Sequence, residues 1–281
     1  MFQIQLTMTR ILVPIDFSEI SEFALQVAVQ IAEKQNSIIY ILHSVEMPQG
    51  TLGAASNSEL PESLFFIKLV EKRFETLLKV PYLQNARTEE IIGNDAVFND
   101  VNHVIEKHDI DLVIMGSHGQ NGIKEFFIGS NTEKVVRTAK VPVLVIKKAH
   151  PTFEVSEIVF ASDLELEGQA AFKQILEFAN FFKSACVLLH INTPGQFRTS
   201  SEIASAKEKF LDGISIPESF KFVVYQERTT EKGILEYSRA QNVALIAMAT
   251  HGRKGLAHFF NGSISEELVS HAQRPVLTVK I

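Results

Sequence analysis

At 281 residues, 46% hydrophobic and 21% charged, with one cysteine and no tryptophan, the chain has an ordinary globular composition and is too apolar to stay disordered. Its length suits roughly two domains of 100–150 residues, or a single barrel of about 250. A net charge of −6 disfavours nucleic acid and anionic lipid as partners, and the lone Cys186 excludes an internal disulfide and fits a reducing cytosol. No uncharged apolar run reaches about 18 residues, so no membrane span is expected. Residues 1–10 lack the basic segment and apolar run of a signal peptide.

The elements alternate along the chain. A short β-branched run from Arg10 to Asp16 reads as a strand buried on both faces. Ser18 then caps a helix whose apolar positions are Phe23, Ala24, Val27, Ala28 and Ile31. A second strand is expected over Ser37–Ser44 and a second helix over Glu62–Lys79, with a Gly-, Ser-, Pro- and Asn-rich surface loop at 46–62 between them. Thr88–Ile92, Asp95–His108 and Asp111–Gly116 read as strand, helix and strand. A glycine-bearing loop then leads into a helix over Ser130–Thr138 and a last strand over Val141–Lys147. The same succession runs again from Glu157 to Lys280.

That second run is a repeat. Asp16 returns as Asp163 and His43 as His190, both at an offset of 147 residues. Ser117-His118-Gly119 returns as Thr250-His251-Gly252, and Phe126-Phe127-Ile128-Gly129-Ser130 as Phe259-Phe260-Asn261-Gly262-Ser263, both at 133. The chain is therefore a tandem duplication, with domains expected at 1–148 and 149–281. The halves carry 14 basic against 18 acidic and 13 basic against 15 acidic residues, so neither is a basic module. Alternating strands and helices imply a parallel sheet with helices on both faces, and ten strands in two equal sets favour two five-stranded α/β sheets over one barrel.

Ligands of open α/β sheets sit beyond the carboxyl ends of the strands. There the first half offers Pro14 and Asp16 after strand one, Ser44 after strand two, and Met115-Gly116 after strand four. From Gly116 the pattern is Gly-x2-Gly119-x9-Gly129-Ser130, with Asn131 and Thr132 in the helix that follows. Glycines admit a ligand close to the backbone, the helix N-terminus presents unpaired N–H groups to phosphate, and Ser130 and Thr132 add hydroxyl donors. A carboxylate at Asp16 suits an adenine amino group or a ribose hydroxyl. Together these residues read as a mononucleotide site.

At these residues the chain resembles the universal stress protein family in its tandem form. Gly116, Gly119, Gly129 and Ser130 match every fixed position of the string carried by its ATP-binding members. Val13-Pro14-Ile15-Asp16, Leu42-His43-Ser44 and Val141-Pro142-Val143-Leu144 match as well. The resemblance implies a Rossmann-like, adenine nucleotide alpha hydrolase-like sheet of order 3-2-1-4-5 in each half. It also implies ATP, with or without Mg2+, between strands one and four, and pairing through strand five. In a tandem chain that pairing gives an internal pseudo-dimer, open to further assembly into a homodimer of tandem chains.

The second half departs from the string. Ala249 stands where the first half has Gly116, while Asp163, Gly252, Gly262 and Ser263 are kept as a second candidate site. Gln120-Asn121 stands in the first half where Arg253-Lys254 stands in the second. The first half is the favoured nucleotide site. The histidines read as structural rather than metal-ligating, Cys186 as inert core, and the Phe126-Phe127 and Phe259-Phe260 pairs as packing contacts. With no Gly-x4-Gly-Lys-[Ser/Thr] string and no paired carboxylates at the glycine loop, no catalytic residue is assigned. The expected function is a cytoplasmic, nucleotide-dependent stress-response regulator. The alternatives are a nucleotide-free scaffold or small-ligand-binding protein of the same fold, or a weak ATPase or adenylyl-transferring enzyme, with slow self-phosphorylation at Ser130 or Thr132.

Overall fold

The computed structural model describes residues 8–45, 60–118, 129–250 and 271–281. They form two compact units, divided between Phe153 and Glu154. In the first unit β1 (Arg10–Pro14), α1 (Glu19–Gln35), β2 (Ile38–Ser44), α2 (Leu60–Leu77) and β3 (Arg87–Gly93) lead to α3 (Val97–His108), β4 (Leu112–Gly116), α4 (Ser130–Thr138) and β5 (Val143–Ile146). The second unit runs β6 (Glu157–Ala161), α5 (Gln169–Phe182), β7 (Ala185–Asn192), α6 (Ser200–Leu211), β8 (Phe220–Gln226), α7 (Thr230–Ala240), β9 (Leu245–Thr250) and β10 (Val276–Lys280).

Each unit is a five-stranded parallel sheet. The orders are β3-β2-β1-β4-β5 and β8-β7-β6-β9-β10, so both follow 3-2-1-4-5. Burial follows position in the sheet: central β4 is buried at all five residues, whereas edge strand β3 has only exposed and half-buried ones. Pairing runs outward on both sides of β1, to β2 and to β4. Right-handed crossovers then place α1 and α2 on one face and α3 and α4 on the other. The chain therefore leaves β1 and β4 in opposite directions, opening a crevice at their carboxyl ends.

The duplication extends to single hydrogen bonds. The Ser37 hydroxyl donates to the Met8 carbonyl, and the Ser184 hydroxyl to the Val155 carbonyl 147 residues on. Ile15 N–H donates to Leu42 at 2.8 Å, and Ser162 N–H to Leu189 at 3.0 Å. The boundaries differ from expectation where proline intervenes. α2 stops at Leu77 instead of Lys79, shortly before Pro81, and β5 starts at Val143 because Pro142 has no N–H to give. The second unit also inserts a 3-10 turn, Leu166–Gly168, ahead of α5, where the first has only a capped helix start. Of the loop expected at 46–62, residues 46–59 lie outside the described residues, as do both Phe-Phe pairs.

Candidate functional site

In the first unit the expected residues gather at the carboxyl end of the sheet. Pro14 is buried at the end of β1, and continuing the Leu12–Val113 register sets it level with Met115, which is 4% exposed within β4. Gly116 ends β4. A Cβ built there would lie 2.9 Å from Ile20 Cγ2 and 3.2 Å from the Ile20 carbonyl carbon, so glycine is required by the first turn of α1. Close packing against α1, rather than ligand approach alone, accounts for this glycine.

Two bonds bring α4 up to the strand end. Gly129 N–H donates to the Ser117 carbonyl at 2.7 Å, and the Thr132 hydroxyl donates to the Gly116 carbonyl at 2.9 Å. Thr132 is 3% exposed. Its single hydroxyl proton is thus given to the backbone, where the sequence suggested a donor for a ligand. α4 itself has Gly129 as N-cap with no side-chain cap, whereas α1 is capped by Ser18 and α6 by a Thr199–Glu202 capping box. Among the described residues no side chain caps the opening N–H groups of α4, on Ser130, Asn131 and Thr132, which carry the positive end of the helix dipole. Ser130 is exposed and Asn131 half-buried.

After β1 the chain turns through Phe17 at φ 60°. A bulky residue there is strained by about 1–3 kcal/mol. The ring offsets this by packing 4.8 Å from the His43 ring and 5.5 Å from that of Phe74. Asp16 Oδ1 accepts from Ser18 N–H at 3.0 Å and closes the turn. The second unit repeats the device with Leu164 at φ 68° and Asp163 Oδ1 accepting from Glu165 N–H at 3.1 Å. Both strand-end aspartates thus shape the turn. Sequence reading missed the left-handed residue; an Asx-type Asp two positions before a helix cap or a turn is the signal that could have found it. At the end of β2 the Ser44 hydroxyl is buried with no hydrogen-bond partner.

The histidines act structurally at Nδ1, which donates to Ile15 from His43 at 2.8 Å and to Ser162 from His190 at 3.1 Å. Cys186 is buried, and burial pushes its thiol up to about 12. Among the described residues no cluster of three or more metal-ligating side chains forms, and no helix is long and apolar enough to cross a membrane. Gly119, Gly252, Gly262 and Ser263 lie outside the described residues.

The second unit opens a cleft over the ends of β6, β7 and β9. Asp163 and Ala249 both line it. Burial raises the Asp163 carboxyl above its ordinary range, against the turn hydrogen bond from Glu165.

The sequence pattern of the universal stress protein family matches residues 7–147 and again 155–280. The universal stress protein MJ0531 of Methanocaldococcus jannaschii is 32% identical over 145 residues, covering 50% of this chain and 82% of its own length. MJ0577 of the same organism, also a universal stress protein, is 28% identical over 153 residues, covering 50% of this chain and 94% of its own. A crystal structure of a universal stress protein from Archaeoglobus fulgidus shares the fold across 97% of this chain and 98% of its own, with a TM-score of 0.73 at 20% identity. With the family pattern matched in both halves and the 3-2-1-4-5 sheet formed twice, the chain belongs to the universal stress protein family.

Proposed function

We propose that the chain is a cytoplasmic stress-response regulator that binds ATP in its first half and changes partners or conformation with nucleotide state. The observation that carries this reading is the uncapped N-terminus of α4, tied to the end of β4 by the Thr132–Gly116 and Gly129–Ser117 bonds. N–H groups at a helix start beside the strand crevice, with no side-chain cap among the described residues, suit the phosphates of a nucleotide. The unpartnered, buried Ser44 hydroxyl supports an adenine or ribose contact on the β2 side. Pro14, Asp16, Met115 and Asn131 border the same strand ends. Since no carboxylate cluster converges among the described residues, Mg2+ would be carried by phosphate oxygens and water rather than by a protein cage.

The test is calorimetric titration of the purified chain with ATP, preceded by extraction and identification of any co-purified nucleotide. The expectation is saturation at one ATP per chain, abolished by Gly119→Val. Absence of both co-purified nucleotide and titratable binding would leave the scaffold reading in its place.

A further inference from the structure

We infer that the second half carries a separate ligand site, at the carboxyl end of its sheet, for an uncharged, largely apolar small molecule bearing one N–H or O–H donor. The site is the cleft over β6, β7 and β9, at the sheet end where open α/β folds take their ligands. Its walls are mainly apolar, from Phe160, Leu189, Ile191, Ile234, Met248 and Ala249. The methyl of Ala249 adds apolar surface where the first half has Gly116.

Among the described residues, the charge that lines the cleft has the wrong sign for a polyphosphate. Asp163 and Glu167 line it, and no lysine or arginine does so among the described residues. The Arg198 guanidinium is engaged by the Asp163 carbonyl and Glu165 Oε1 and does not line the cleft, so a triphosphate entering here would meet the Asp163 and Glu167 carboxylates, at a cost that rises as water is excluded.

His190 supplies the polar handle. It lines the cleft at 5% exposure, and its Nδ1 lies 3.1 Å from the Ser162 carbonyl. A carbonyl only accepts, so Nδ1 carries the proton and Nε2 is left as a bare acceptor. That Nε2 is buried and has no partner. Burial favours the neutral ring. A buried acceptor without a donor is costly, and a ligand N–H or O–H can satisfy it.

The rim is built to hold still. Asn192 and Arg198 exchange two bonds, Asn192 Nδ2 to the Arg198 carbonyl at 3.0 Å and Arg198 N–H to Asn192 Oδ1 at 2.9 Å. The Arg198 guanidinium then reaches the Asp163 carbonyl at 3.1 Å and Glu165 Oε1 at 2.8 Å. These bonds pin the segment of Phe197, 68% exposed and next in sequence to the cleft-lining Gln196, while Leu166, 59% exposed, precedes the cleft-lining Glu167. Two large apolar side chains held in solvent beside an apolar cleft give a ligand's outer end something to cover.

The test uses the intact chain and N-phenyl-1-naphthylamine, a neutral apolar fluorophore with one N–H; the chain contains no tryptophan to interfere. Enhanced, blue-shifted emission should saturate at one probe per chain and survive an excess of ATP. Ala249→Phe, which fills the cleft, should weaken binding at least tenfold, and Phe197→Ser, an exposed change that leaves folding intact, several-fold. The N-methyl analogue, lacking the donor, should bind several-fold more weakly. Replacing the exposed α2 pair with Phe65→Ser and Phe66→Ser should leave binding unchanged. Displacement by ATP, loss of binding in the α2 variant, or undiminished binding in Phe197→Ser overturns the site, and equal affinity for the N-methyl analogue overturns the donor. Gly119→Val, which should abolish ATP binding, should not alter probe binding, so the two readings fail separately.

Discussion

At the scale of single residues, the two halves form a built-in comparison at Gly116 and Ala249. In the first half a Cβ at this position would press on the Ile20 side chain and on its backbone. In the second half the residue equivalent to Ile20, 147 positions on, is Glu167, and it lies in the 3-10 turn Leu166–Gly168 instead of the first turn of a helix. The helix start that demands glycine has been rebuilt, so a methyl is tolerated. Gly116→Ala should therefore destabilise the chain by about 1–3 kcal/mol, the usual cost of overpacking a well-filled contact. Urea unfolding of the variant checks this. Ile20→Ala in the Gly116→Ala background should restore part of the loss, because the nearest clashing atom is Ile20 Cγ2. An unshifted midpoint in Gly116→Ala would mean that the glycine serves the ligand alone.

At the scale of elements, the sequence carried most of the architecture because period and punctuation agree with tertiary position. Central strands such as β4, Leu112–Gly116, are buried at every residue and so read as unbroken apolar runs. Ser18 caps α1, its Oγ accepting from Ser21 N–H at 3.3 Å. The candidate site was legible as residue types at strand ends and a helix start. What those residues do to one another was not. Asp16 closing a left-handed turn and the added 3-10 turn are local features of the kind an Asx-type Asp can signal, whereas the Thr132–Gly116 lock joins a helix to a strand end 16 residues back. Local pattern cannot carry such a contact. The Thr132 lock makes a test at this scale. Thr132→Val keeps the shape and the β-branching but removes the donor, leaving the Gly116 carbonyl short of a partner at about 1–3 kcal/mol. Loosening α4 from β4 should also weaken ATP binding several-fold in a calorimetric titration. Thr132→Ser, which keeps the hydroxyl, should stay near the parent in both measurements. Unchanged binding in Thr132→Val would separate the position of α4 from nucleotide affinity.

At the scale of the whole molecule, net charge and duplication constrain how a polyanion can be held. The chain carries −6, spread over both halves, with neither half a basic module. A nucleotide approaching such a body gains nothing from long-range steering and must be held by short-range contacts. In the first half the described contacts of that kind are neutral: the uncapped N–H groups of α4 and the Ser44 hydroxyl. Sites that neutralise phosphates with lysine and arginine lose affinity steeply with salt, because each contact releases a bound counterion. Hydrogen bonds from backbone amides in a partly enclosed crevice are screened far less. ATP affinity of the intact chain should therefore change only a few-fold between roughly 50 and 200 mM salt, read from titrations at fixed free Mg2+. A tenfold or steeper loss over that range would assign the phosphates to a cationic cluster instead, and would move the centre of the site away from the α4 N-terminus.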